Sequence, residues 1–191
     1  MITFRSIQKS FAGKAVLRGI DLEIKKGEVL FIVGTSGVGK SVTIKHIIGI
    51  LRPDAGEIAL DGERIDHLPE AALYAVRKRV AMVFQNATLF DSLSLLENVA
   101  LPLKKHKRLD ERAARKEALR RLEQVHMSNF ADAYPSSLGD GMRKRVAIAR
   151  ALTLDPECIL FDEPTTGLDP VSARRIDALI RELSDKLGIL F

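Results

Sequence analysis

Gly34-Thr35-Ser36-Gly37-Val38-Gly39-Lys40-Ser41 decides the fold. Its glycines open backbone torsions closed to other residues, so successive N–H groups can turn inward around an anion. Lys40 brings a cation to the β- and γ-phosphates, and the Ser41 hydroxyl suits a magnesium ion. Upstream, Val29-Leu-Phe-Ile-Val33 has the apolar, β-branched pattern of a buried strand. Downstream, Val42 to Leu51 is predicted as a helix whose N-terminal dipole faces the phosphates. A strand, a phosphate-binding loop and a helix in that order indicate a nucleotide-binding α/β core.

A second stretch completes the chemistry. Glu157 to Phe161 is apolar enough for a core strand, and Asp162 and Glu163 stand at its C-terminal end. Open parallel α/β sheets bind ligands at that end of their strands. Asp162 can hold magnesium through water, and Glu163 is placed to polarise an attacking water.

Bulk properties fit one domain. The 191 residues carry 30 Lys and Arg against 25 Asp and Glu, giving a net charge of +5. A 46% apolar fraction is enough for a core, and no run approaches the ~20 apolar residues of a membrane span. Met1-Ile-Thr-Phe-Arg5 lacks the long apolar region of a signal peptide. Basic residues cluster at 104–108 and 143–145, without the interleaved aromatics of a nucleic-acid surface, so no direct nucleic-acid partner is expected. His46, His67, His106 and His126 have no metal-ligand spacing, and the single Cys158 is expected as core filler.

Periodicity gives the organisation. Residues 1–30 and 57–61 alternate like strands, with turns expected at Gly13, Gly19, Lys26-Gly27 and Asp61-Gly62. Residues 80–84 have the pattern of a buried strand. Ser94 to Asn129 is helical, with Asp110 as a cap for a helix over 111–125. Another amphipathic helix is expected from Pro170 to Gly188.

In the order and spacing of these motifs the chain resembles the ATP-binding subunits of ABC transporters over essentially all of its length. The resemblance implies an ABC-type P-loop core (28–51, 80–86 and 141–191), an antiparallel β subdomain within 1–65 and a helical subdomain at about 87–140. It implies ATP and Mg2+ as ligands. Phe11 and Val16 stand where the family places an aromatic under the adenine ring and an aliphatic beside it. Gly34 to Val42 would hold the phosphates. Gln85 matches the glutamine that senses magnesium and the γ-phosphate. Ser41 and Asp162 match magnesium ligands, Glu163 the catalytic glutamate, and Gly167-Leu-Asp169-Pro170 the loop that crosses to a partner subunit. Gly34 to Glu57, 84–94 and 97–103 look further like the ATPases of Mla- and Mce-type lipid transporters. Expected partners are therefore a second ATP-binding subunit, packed head to tail, and permease subunits contacting residues 87–103. Within that stretch Ala87, Leu89, Phe90 and Leu93 are expected to form the docking surface. The expected location is the cytoplasmic face of the inner membrane, peripherally.

The sequence departs from the family at two places. The signature loop, Leu-Ser-Gly-Gly-Gln or Leu-Ser-Gly-Gly-Met, falls on Leu138-Gly139-Asp140-Gly141-Met142. Gly139 lacks a hydroxyl donor to a charged acceptor, a loss of about 1.5–3 kcal/mol. Asp140 adds a carboxylate near the positive end of the following helix, where it either repels phosphate or caps the helix itself. Two like charges about 4 Å apart at an effective dielectric of 20 repel by about 4 kcal/mol. Impaired ATP-driven dimer closure is the expectation. The second departure follows Gly188, where the family has a strand ending in a switch histidine and this sequence has Ile189-Leu-Phe191. Truncation relative to the family, and an opening between the strands at 29–33 and 158–162, are expected.

Overall fold

The computed structural model describes residues 1–188, and the expectation for Ile189–Phe191 lies outside them. The N-terminal alternation becomes an antiparallel sheet. Strands β1 (Ile2–Phe11), β2 (Lys14–Ile24), β3 (Ala55–Leu60) and β4 (Glu63–Arg64) lie in the order β2-β1-β3-β4. Ile2, Phe4 and Ile7 of β1 are fully buried with Ile58 and Leu60 of β3, which sets the register. Gly13 and Asp61-Gly62 form turns as expected. Gly19 does not: it lies inside β2 at φ 92°, where Ile7 pairs with Ile20 but Gln8 with Arg18. One extra residue in β2 is a bulge, and an isolated glycine marks a bulge as readily as a turn.

The central layer is a parallel pair, β5 (Val80–Val83) and β6 (Cys158–Phe161), in the register Val80–Cys158 to Val83–Phe161. Alternation divides its side chains between two cores. Val80, Met82, Cys158 and Leu160 pack with the N-terminal sheet, α1 (Lys40–Ile47) and α2 (Glu70–Arg79). Ala81, Val83, Ile159 and Phe161 pack with α3 (Leu95–His106), α4 (Glu111–Gln124), α5 (Asp140–Ala151) and α6 (Pro170–Leu187). Burial on both faces is why β6 is a continuous apolar run rather than an alternating one. The helical reading of 94–129 holds as two capped helices. Ser94 and Glu97 form a reciprocal capping box on α3, and the Asp110 carboxylate accepts from the Ala113 amide at 2.8 Å on α4.

The expected strand at 29–33 is absent. The segment carries no ladder bond; Leu30 packs on the N-terminal core, but Phe31 is 72% and Val33 91% exposed. β6 pairs with β5 on one edge, and no described strand lies on the other. An apolar cavity of about 210 Å³ separates β6 from 29–32, bordered by Leu22, Ile24, Ile44, Ile47 and Ile180. Strand-forming side chains make a strand only where a neighbouring backbone takes up their N–H and C=O groups.

Candidate nucleotide site

Two short segments from distant parts of the sequence meet at one edge of the molecule. The first is the loop 34–39 with the start of α1. The helix begins at Lys40, its Gly39 cap offers no side-chain bond, and its first turn holds no acidic residue. Amide groups and the positive helix end there are thus free for an anion. Gly39 sits at φ 105°, and a Cβ on it would come within 2.9 Å of Leu17 and 3.0 Å of Val16. Only glycine fits that close approach, and it seats Val16 against the loop. Thr35, Ser36, Gly37 and Val38 are exposed along it, and Val42 is half-buried. Lys40 Nζ donates to the carbonyls of Gly34 at 2.8 Å and Thr35 at 3.0 Å, holding the ammonium over the loop.

The second segment follows β6. The Ser41 hydroxyl donates to Asp162 Oδ1 at 2.5 Å, and Glu163 Oε1 lies 3.9 Å from Lys40 Nζ. Phosphate lysine, hydroxyl and both carboxylates therefore converge, 121 positions apart in sequence for Ser41 and Asp162. Among the described residues no group of three or more His, Cys, Asp or Glu forms a metal cage. One hydroxyl beside one carboxylate fits magnesium, which keeps several waters and shares substrate phosphate oxygens.

Lys45 escaped the sequence reading. Its Nζ is 4.0 Å from Asp162 Oδ2, and its position one turn after Ser41 was the available signal. Glu163 itself holds a left-handed backbone at φ 49°. That conformation costs a non-glycine residue about 1–2 kcal/mol and persists where its surroundings over-determine it. The Thr166 amide donates to Glu163 O at 3.2 Å, and the Thr166 hydroxyl to Glu163 Oε2 at 3.1 Å.

The remaining expected residues lie on other segments. Gln85 is exposed two positions beyond β5, in a cleft with Asn86, Asp140, Arg143 and Thr166. Phe11 ends β1, 42% exposed, with the Lys9 ammonium 5.5 Å from its ring centre. Gly139, Asp140, Gly141 and Met142 share a separate surface cleft with Asp169, and Leu138 is buried in the helical core. One chain therefore does not bring the signature stretch to its own phosphate loop. Asp140 does not cap α5, an expectation that the structure corrects. The cap is Gly139, and Asp140, the first helical residue, is ion-paired with Arg143. A carboxylate three residues before an arginine reaches it along the helix face more readily than it reaches back to the cap. Asp169 does cap a helix, accepting from the amides of Val171 and Ser172 at the start of α6.

In the 87–103 stretch, Ala87 is 3% exposed and belongs to the core, and Leu89 packs against it. Phe90 is exposed and lies 5.9 Å from the Arg150 guanidinium.

Comparison with known proteins gives the family. The family model described as ABC transporter matches residues 17–166. The intermembrane phospholipid transport system ATP-binding protein MlaF of Haemophilus influenzae is 40% identical over 189 residues, covering 99% of this chain and 72% of MlaF. The methionine import ATP-binding protein MetN of Rhizobium johnstonii is 42% identical over 193 residues, covering 99% of this chain but 52% of MetN. The chain thus spans about half of the MetN relative. The dimeric post-hydrolysis structure of the ATP-binding cassette MJ0796, bound to ADP and Pi, superposes with a TM-score of 0.89 at 33% identity. That superposition covers 100% of this chain and 85% of the cassette. On the motifs, the fold and these relatives together, the chain belongs to the ABC transporter family of ATP-binding subunits.

Proposed function

We propose that the chain is the ATP-binding and ATP-hydrolysing subunit of a membrane transporter whose cargo is a phospholipid or another hydrophobic molecule. One observation carries the enzymatic half: Ser41 bonded to Asp162 at 2.5 Å, with Glu163 3.9 Å from Lys40, at the C-terminal end of a parallel strand. Lys40 and the amides of 35–41 would receive the phosphates, with Phe11 and Val16 beside the base. Ser41 and Asp162, with Gln85, would hold Mg2+, which when bound offsets phosphate charge as a Lewis acid. Glu163 would take a proton from the attacking water. Leu138 to Met142 and Asp169, which open away from the phosphate loop of their own chain, would serve a second subunit's nucleotide. No helix among the described residues is long and apolar enough to cross a membrane, so attachment would be peripheral, through permease subunits at Phe90 and its neighbours.

The MlaF relatives and the sequence of 84–103 support the lipid cargo. The test is reconstitution of the chain with its co-purified permease in vesicles. ATP-dependent movement of a fluorescent phospholipid is expected, with no uptake of labelled methionine. The reverse result overturns the cargo.

A second reading is a subunit that binds ATP without hydrolysing it. Asp140 at the first turn of α5 favours it, although the Arg143 pair offsets that charge. Single-turnover phosphate release with and without the permease separates the two. Gly139→Ser combined with Asp140→Gly should raise turnover at least about tenfold if this loop limits closure. An unchanged rate would remove the loop from the account.

A further inference from the structure

Lys144 is a buried cation that the proposed chemistry leaves unused. It lies on α5, 5% exposed, and its Nζ donates to the Thr166 carbonyl at 2.9 Å. A buried ammonium with a neutral acceptor needs a nearby opposite charge. Burial pulls the Lys144 pKa down, and Asp140, one turn earlier on the same helix, pulls it back up.

That loop contains the strained Glu163. The Thr166 hydroxyl and amide bond Glu163 from one side, and Lys144 holds the Thr166–Gly167 peptide from the other. The Glu163 carboxylate is thus positioned through a chain of hydrogen bonds, from Lys144 to the Thr166 carbonyl and from the Thr166 hydroxyl and amide to Glu163. We propose that Lys144 is a positioning residue for Glu163, fastening the carboxylate-bearing loop to the helix that follows the signature stretch. The inference rests on the ATPase reading for its kinetic consequence, and on geometry alone for its structural one.

The test compares the full chain with Lys144→Met and Lys144→Arg, using MgATP as probe. Misplacing a catalytic group by about an ångström can cost on the order of 10²-fold. Lys144→Met should therefore lower kcat by about that factor while KM for MgATP changes less than about threefold. Lys144→Arg, which keeps the charge and the reach, should recover most of the loss. Without nucleotide, exchange of the Leu168 amide, which donates to Thr165 O at 3.2 Å across the clamped peptide, should rise about tenfold or more in Lys144→Met and stay unchanged in Lys144→Arg. Equal kcat in all three proteins overturns the inference. So does a loss of kcat with unchanged exchange at Leu168, or one that arginine does not restore. If the unaltered chain binds MgATP but releases no phosphate, the ATPase reading fails instead. The exchange measurement then decides, and unchanged exchange in Lys144→Met overturns the clamp. Where Lys144→Met does not fold, Thr166→Ala, which cuts the hydroxyl link from the exposed side, takes its place. Thr166→Ala should lower kcat about tenfold, and no loss overturns the inference.

Discussion

Val29–Val33 and Cys158–Phe161 are two apolar segments of the same character with different fates. The second is pleated, paired with β5, and buried on both faces, with Ile159 at 0% exposure. The first has no ladder and leaves Phe31 and Val33 in solvent. Both end in the chemistry of the site, one in the phosphate loop and the other in Asp162 and Glu163. Composition therefore does not separate them. What differs is a neighbouring backbone, and with it the rigidity of the half-site each segment carries. The carboxylate half hangs from a strand, whereas the phosphate half is held by α1, by Val16 and Leu17 against Gly39, and by the Ser41–Asp162 bond.

Hydrogen exchange is the widest way to break this comparison. The Asp162 amide, bonded to Val83 O at 3.1 Å, should exchange on the order of 10³-fold more slowly than that of Phe31. Comparable rates would mean that 29–33 is paired in solution. Side-chain truncation comes next. Ile159→Ala should cost about 2–5 kcal/mol in a denaturant melt, as for any large core residue. Phe31→Ser should change stability by less than about 0.5 kcal/mol, and a larger loss would show Phe31 buried.

How much of this was legible beforehand follows the same division. Elements with a long periodic apolar face or an explicit cap were readable, including Ser94 to Gln124 and the strand before Asp162, whereas the short helix α2 (Glu70–Arg79) was not among the expectations. The phosphate loop and carboxylates were readable because their residue types are dictated by phosphate and magnesium. The failures were non-local. Nothing in Val29–Val33 says whether another strand lies alongside, and nothing near Gly19 distinguishes a bulge from a turn. Lys45 and Lys144 look like ordinary helix-surface lysines until tertiary packing turns them toward Asp162 and Thr166.

Smaller effects sharpen the boundary between the two segments. Cys158 borders the cavity, and burial pushes its thiol up to about 12. The folded protein should therefore resist a thiol reagent at neutral pH, and rapid labelling would show the cavity opening onto β6. Smallest is the tie at the start of β6. Arg79 Nε donates to Glu157 Oε1 at 2.7 Å, and this bond holds the Glu157 carboxyl below its usual range. A depressed carboxylate stabilises above its unfolded pKa, and that contribution is lost as pH falls through the folded value. Glu157→Gln should thus cost under about 1 kcal/mol at neutral pH, and a variant and parent that converge in stability below pH ~4 would agree. A constant difference across pH would contradict the assignment.

The central claim is that the two unlike halves form a single catalytic site. Its most direct measurement is Mg2+-dependent phosphate release by the unaltered chain and by Glu163→Gln, with MgATP binding followed in parallel. The account predicts release by the unaltered chain, a loss of about 10²-fold or more in Glu163→Gln, and binding retained in both. Equal release by the two proteins would contradict it.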